Sequence, residues 1–401
     1  MAHSSSATQP NRHPNLAPRL IHAVFVLAGV MTTLLGPMLP VLSARWALND
    51  SQAGYFFTAQ FTGSMLGVAL SGVVVQRRGY RAAFVAGLVA LAAGAAFLSF
   101  APWVGAIASV FAYGIGVGLT IPTGNFLIAE WNPDHRAAAL NWLNLSWGVG
   151  AAGCPFAVLA LAPSNRTGWF LAGMAVALSL LALLLAASPV PWPDASRAEL
   201  KTQIPSKVWL NPLTFTFAAL FFFYVGTENS IGGWIASYTQ RLHIGPGSAW
   251  ALAPSFFWVS LLAGRAAAPA LLSRMGEKNV ARAGLLTAAC GVALLLAAHS
   301  TAALLTGVIV AGLGLASVFP ITISLVSLNF AKAAPAVGSS MFALAGLGGA
   351  TLPWSVGALS LRFGALKAGL YIPFGGCLTM LILYLFIGRS PADDSSAGST
   401  P

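Results

Sequence analysis

The chain has 401 residues, of which 57% are hydrophobic and only 7% charged, whereas an average soluble domain is roughly a quarter charged, so no water-facing surface can be built from this composition. A net charge of +11 would direct a soluble protein to nucleic acid. Here the cations lie between apolar segments, where they meet anionic lipid headgroups, and no nucleic-acid partner is expected.

A membrane-crossing helix needs about 20 mostly apolar residues. Segments of that length, cut at polar or Pro/Gly breaks, predict twelve helices near 19–44, 51–75, 82–101, 103–130, 136–163, 167–188, 210–239, 248–273, 281–298, 301–329, 336–361 and 366–388. Residues 1–18 and 390–401 read as disordered cytoplasmic tails. The stretch 189–208, rich in Pro and charge, reads as a linker between an N-terminal six-helix half, 19–188, and a C-terminal six-helix half, 209–389. The expected fold is an all-α membrane protein of twelve transmembrane helices. Cys154, Cys290 and Cys377 all fall within predicted spans, so neither a disulfide framework nor a cysteine metal cluster is expected, and no metal or other cofactor.

Lys and Arg fix the orientation. With both termini inside, fourteen of the 20 fall in inner segments and five in outer ones, with Arg265 left inside a helix. The expectation is a multi-pass protein of the inner (plasma) membrane with both termini cytoplasmic.

The two halves repeat each other. A shift of 197 places Gly29 on Gly226, Gly36 on Gly233, Gly67 on Gly264, Arg77 on Arg274 and Gly79 on Gly276. A shift of 198 places Gly114 on Gly312, Pro122 on Pro320, Gly148 on Gly346 and Pro155 on Pro353. An offset of six helices is even, so both halves enter the membrane in the same direction, about an axis along the membrane normal.

Polar residues within spans face the bundle interior or a water-filled cavity, and they are the candidate ligand contacts. In chain order they are Gln60 in helix 2, Thr120 and Asn125 in helix 4, Asn141, Trp142 and Asn144 in helix 5, Glu228, Asn229 and Trp234 in helix 7, and Trp258 in helix 8. Aromatic platforms with neutral amides and one carboxylate suit a sugar, which offers apolar ring faces and a rim of hydroxyls. Such amides also serve as interhelical glue, worth roughly 0.6 kcal/mol each. Glu228 is the only carboxylate well inside a predicted span. It is read as a substrate contact, with a proton-carrying role and a structural pairing with Arg265 as rivals; the distance along the helices argues against that pairing. Candidates for the cytoplasmic gate are Arg77, Arg78, Arg81, Glu130, Arg136, Arg265 and Arg274; Glu130 reads equally as a partner of Arg77, Arg81 or Arg136 and as a solvated acid at a helix end. Nucleophile motifs, phosphate-cradling loops and ligand-spaced histidines are missing from the sequence, so an enzyme is not expected.

The loop from Gly72 through Gln76, Arg77, Arg78, Gly79 and Tyr80 to Arg81 resembles the signature loop of the major facilitator superfamily, with Gln76 where Asp is usual. Phe221 to Tyr238 resembles helix 7 of the fucose:proton symporter family, and Ser255 to Arg265 and Ala316 to Ile321 resemble helices 8 and 10 of its glucose/mannose-transporting members. The resemblance implies a monomeric transporter of a hexose working by alternating access. Aligned on Gly124 and Phe126, the family's helix 4 acid falls at Thr120, and the helix 1 acid of the fucose transporters has no counterpart among Met31, Thr32 and Thr33. The missing acids favour a facilitator, leaving a proton symporter that uses Glu228, or a drug or metabolite exporter, as alternatives.

Overall fold

A computed structural model of the chain describes residues 16–161, 166–188, 192, 211–243, 249–330 and 334–387. Of the predicted tails, 1–15 and 390–401 lie outside these residues, as does the predicted linker apart from Trp192; residues 16–18, read as tail, instead open the first helix. The described chain is helical: α1 (Leu16–Thr33), α2 (Leu35–Arg45), α3 (Asp50–Phe100), α4 (Trp103–Trp131), α5 (Arg136–Leu161), α6 (Thr167–Ala187), α7 (Pro212–Arg241), α8 (Ala253–Leu272), α9 (Glu277–Leu296), α10 (Thr301–Leu315), α11 (Val318–Phe330), α12 (Ala334–Phe363), α13 (Leu366–Gly369) and α14 (Tyr371–Phe386).

Nine of these helical segments are long and apolar enough to cross a membrane, ten when α1 and α2, bent by 47°, count as one span. Two further spans complete the twelve. α3 has 51 residues, which at 1.5 Å per residue is roughly 75 Å and enough for two passes. It is broken at Gly79, whose φ of 79° and ψ of 172° suit a residue without Cβ. The predicted loop at 76–81 is therefore a one-residue break. The other span is α7, too polar in its second half to pass on hydropathy alone, because Thr227, Glu228, Asn229 and Ser230 follow one another there.

Prolines set the remaining breaks. Pro37 has no N–H to offer the Thr33 carbonyl, and α1 gives way to α2 at that turn. Pro320 does the same to the Ala316 carbonyl, where α10 stops and α11 starts.

Packing within each half depends on backbones approaching at glycine, as is general where lipid supplies no hydrophobic drive between helices. A side chain at Gly67 would strike the Ile115 carbonyl and Gly118, and one at Gly264 would strike Ala316 and crowd the Leu313 carbonyl; Gly114 meets the Gln60 carbonyl as Gly312 meets that of Phe257, with Ser260 closer still. The partners in the second half are displaced by the same 198 or 197 residues, so the repeat holds contact for contact.

The halves meet where α2 packs on α7, α3 on α12 and α5 on α8. The contacts that join them lie between the middle of the bundle and the end that carries Asp50. Thr58 Oγ1 donates to the Ala350 carbonyl and Ser255 Oγ to that of Ala152, both at 2.8 Å. Ring pairs Tyr55/Trp354, Phe57/Trp234 and Trp147/Trp258 join the same seam. The Asp50 end is closed.

Candidate functional site

Glu228 lies midway along α7, and its Oε1 accepts a hydrogen bond from the Tyr224 hydroxyl, one turn earlier, at 2.9 Å. Arg265 of α8 brings Nη2 to 3.5 Å from the same oxygen, so the pairing that helix distances argued against is made. The reason is the tilt of side chains toward the start of their helix. α8 starts at the Asp50 end and α7 at the opposite end, so the two side chains lean toward one another. Arg265 Nε also donates, at 3.4 Å, to Ala316, the carbonyl that Pro320 leaves without a helical donor. The break in the helix thus anchors the guanidinium beside the carboxylate. Aromatic rings border the cluster: Phe319 lies 5.1 Å from Tyr224, 5.4 Å from Phe221 and 6.0 Å from Phe342. Neighbouring Asn229 is half-buried and spends one amide hydrogen on the Val225 carbonyl at 2.8 Å, which leaves its oxygen available as an acceptor.

Helix α5 presents two faces to its surroundings. Trp142, Leu145, Val149 and Phe156 form an exposed apolar stripe, with Trp142 66% exposed, so Trp142 lies among apolar side chains and not with the polar candidates. Asn141 and Asn144 are exposed on the face that continues through Gly148, which meets Leu262 of α8, and Ala152, which meets Ser255. Asn144 gives one amide hydrogen to the Leu140 carbonyl at 2.8 Å. Three residues on, Trp147 packs edge to face against Trp258 at 5.8 Å.

Three other candidates belong to the packing of this conformation. Trp234 is fully buried and donates to the Pro353 carbonyl at 2.8 Å in the closed end. Gln60 is tied within the first half, donating to the Thr32 carbonyl at 2.8 Å and accepting from Tyr113 at 3.1 Å. Thr120 is wholly buried against Gly87 of α3, with no hydrogen-bond partner among the described residues. Asn125 is half-buried and donates to the Ile121 carbonyl at 3.0 Å. Helical periodicity shows which residues share a face but not which neighbour that face meets, and this is why Trp142, Trp234, Gln60 and Thr120 were grouped with residues they do not join.

At the end opposite Asp50, Arg77, Arg78, Arg136 and Arg274 are exposed. Arg81 is engaged within the first half: it donates to the carbonyls of Ala186 and Ser188 and stacks over Trp192. Trp192 in turn packs on Phe84 and Trp131. Glu130 accepts from the Tyr80 hydroxyl at 2.6 Å, so its described partner is a tyrosine, neither one of the candidate arginines nor solvent alone. Position 277, which the repeat places on Tyr80, is Glu277, and it accepts from Ser324 at 2.7 Å. Each half therefore ties the start of its third span to its fourth by a hydroxyl and a carboxylate, with the two roles exchanged.

Sequence reasoning passed over a cluster at the closed end. Asp50, the first residue of α3, accepts from Arg241 at the end of α7 and from Ser360 of α12. Asn49 caps the helix there: Gln52 N donates to Asn49 Oδ1 at 2.9 Å, and Asn49 N to Gln52 Oε1 at 3.0 Å. The available signal was an acid at a helix start on the same side as Arg241, one of the five cations expected on the outer side.

The family model described as Major Facilitator Superfamily matches residues 21–350. The glucose/mannose transporter of Bacillus subtilis (strain 168) is 24% identical over 361 residues, 84% of this chain and 86% of that protein. Among solved structures, a nucleoside transporter superposes with a TM-score of 0.76 at 14% identity, over 92% of this chain and all of that one. The E. coli fucose:proton symporter superposes with a TM-score of 0.62 at 19% identity, over 93% and 99%.

Proposed function

The chain belongs to the Major Facilitator Superfamily, and on that premise we propose that it carries a monosaccharide, a hexose such as glucose or mannose, across the membrane by alternating access of its two halves. The observation that carries this reading is the cluster of Glu228, Tyr224 and Arg265 bordered by the rings of Phe319 and Phe342, with the amide of Asn229 beside it. A carboxylate and a guanidinium that neutralise each other leave hydrogen-bonding edges without net charge, and rings beside them suit the apolar face of a sugar. The similarity to a glucose/mannose transporter along most of both chains supports the same class.

The reading includes both termini on the cytoplasmic side of the inner membrane, with halves 19–188 and 209–389 joined by the linker 189–208 across that face. In that orientation the sealed Asp50 end is the outer one and the structure faces inward. Transport is facilitated rather than proton-driven: Thr120 carries no titratable proton and is packed against Gly87, and Glu228 is held by Arg265.

Entry of radiolabelled glucose and mannose into proteoliposomes, with and without an inward proton gradient, tests both parts. Equilibration that ignores the gradient is expected. Uphill accumulation would replace the facilitator with a symporter, and no entry of either hexose would remove glucose and mannose as substrates and leave another sugar or the exporter reading.

A further inference from the structure

We propose that the site also takes sugar acids: the carboxylate of a hexuronate such as glucuronate replaces Glu228 as the partner of Arg265. The proposal rests on the monosaccharide reading above and names a second substrate class for the same site. Its basis is the half-used fork of Arg265. Nη2 donates at 3.5 Å to Glu228 and at 3.5 Å to the Tyr224 hydroxyl, and Nε at 3.4 Å to the Ala316 carbonyl. A guanidinium on a carboxylate ordinarily closes to about 2.7–2.9 Å and grips both oxygens. Arg241 does so on Asp50, with Nη1 at 2.7 Å from one oxygen and Nη2 on the other. Arg265 instead reaches a single oxygen of Glu228, and its Nη1 has no hydrogen bond among the described residues. Glu228 has a closer donor of its own in Tyr224, at 2.9 Å. An ionised group inside a membrane span is costly unless partnered, so the unused prong points to a carboxylate that arrives with the ligand.

The guanidinium is within reach of a ligand. Ser255, Trp258 and Leu262 of α8 meet α5 in turn along the closed seam. Arg265 follows Leu262 by three residues, on the side away from Asp50, and its side chain is 32% exposed. The unpartnered Nη1 is not a buried atom. Glucuronate differs from glucose only in the carboxylate at C6, so its ring faces suit the same rings of Phe319 and Phe342 while C6 turns to Arg265.

Charge balance then separates the two substrate classes. Arg265 and Tyr224 are the charged and titratable groups that reach Glu228, and the other helices packed on α7 bring none among the described residues. Two carboxylates on one guanidinium would leave a net negative charge inside the span, so Glu228 takes one proton from water as the acid binds. A neutral hexose leaves the Glu228–Arg265 pair intact and needs no proton. Proton uptake therefore accompanies the acid and not the sugar.

The test is equilibrium binding of glucose, mannose, glucuronate and its uncharged analogue glucuronamide to the full-length protein, to Glu228→Gln and to the Glu228→Gln, Arg265→Ala double variant. We expect the wild type at about pH 6 to bind glucuronate tenfold or more tighter than glucuronamide, the value of a charge-assisted hydrogen bond. As the pH rises, glucuronate affinity should fall by up to about tenfold per unit, the signature of one proton taken up, while glucose affinity stays level. Glu228→Gln resembles the protonated acid, so it should hold glucuronate as tightly as the wild type or more so, with no pH dependence, although it weakens glucose. The double variant should bind glucuronate no better than glucuronamide. Glucose binding with no preference for glucuronate over glucuronamide, a wild-type glucuronate affinity that ignores pH, or a double variant that keeps the preference would overturn the proposal alone. If the variants do not fold, the wild-type series still decides. A wild type that binds none of glucose, mannose and glucuronate removes these hexoses and the proposal together.

Discussion

Arg241 and Asp50 join the two halves at the closed end: Arg241 Nη1 donates to Asp50 Oδ2 at 2.7 Å, and Nη2 donates to the other carboxylate oxygen. Ser360 adds a third donor to the same carboxylate. The Asp50 side chain is 11% exposed and that of Arg241 47%, so the pair is screened on one side and contributes about 1 kcal/mol to keeping this end shut. Arg241→Ala is therefore expected to raise the open fraction at this end roughly fivefold. The check is the reaction rate of a membrane-impermeant thiol reagent with Trp354→Cys in a background without Cys154, Cys290 and Cys377. An unchanged rate would show that the ion pair does not hold the seam.

Close backbone approach separates two kinds of glycine. A side chain at Gly36 would meet the Gly232 carbonyl in the other half, whereas one at Gly150 would meet the Val26 carbonyl within its own half. Gly36→Val is expected to leave the thermal unfolding midpoint nearly unchanged and to speed reaction of the Trp354→Cys reporter. Gly150→Val is expected to destabilise the fold by about 1–3 kcal/mol, the usual penalty of overpacking, and to lower the midpoint. Equal effects of the two on stability would contradict this division.

What the sequence made legible was whatever repeats along one chain. The spacing of Gly67, Gly114, Gly264 and Gly312 gave the two halves and their common packing, because a glycine contact is dictated by the helix that carries it. What it left hidden were relations between helices. The distance from Glu228 to Arg265 depends on the opposed tilt of side chains on antiparallel helices, and the partner of Asp50 lies 191 residues away in the other half. Trp142 and Asn141 are adjacent in sequence yet 100° apart around α5, and only the neighbouring helices decide which of them joins the polar face.

That last difference can be measured. Trp142, on the exposed stripe of α5, is expected to tolerate Trp142→Leu with hexose uptake within about twofold of wild type. Asn144 lies on the face that continues to the α8 contact, and Asn144→Ala is expected to weaken hexose binding roughly threefold to tenfold, the range for one neutral hydrogen bond. Uptake in proteoliposomes and equilibrium binding on the same preparations distinguish the two sites, and a reversed order would place Trp142 in the path and Asn144 outside it.

Glu228 and Arg265 separate ligand contact from structural pairing through a double-variant comparison. Glu228→Gln keeps the size and a Tyr224 acceptor but removes the charge, and it is expected to weaken hexose binding about tenfold or more, as loss of a charge-assisted hydrogen bond of about 1.5–3 kcal/mol requires. Arg265→Ala instead leaves a carboxylate 12% exposed with only a tyrosine hydroxyl to offset it. Because the arginine itself is 32% exposed, the expected loss of stability is about 1–3 kcal/mol, below that of a fully buried pair. In the Glu228→Gln, Arg265→Ala double variant the stranded charge is gone, so the unfolding midpoint should recover toward wild type while hexose binding stays weak. Recovery of both would make the pair purely structural and take Glu228 out of the binding site.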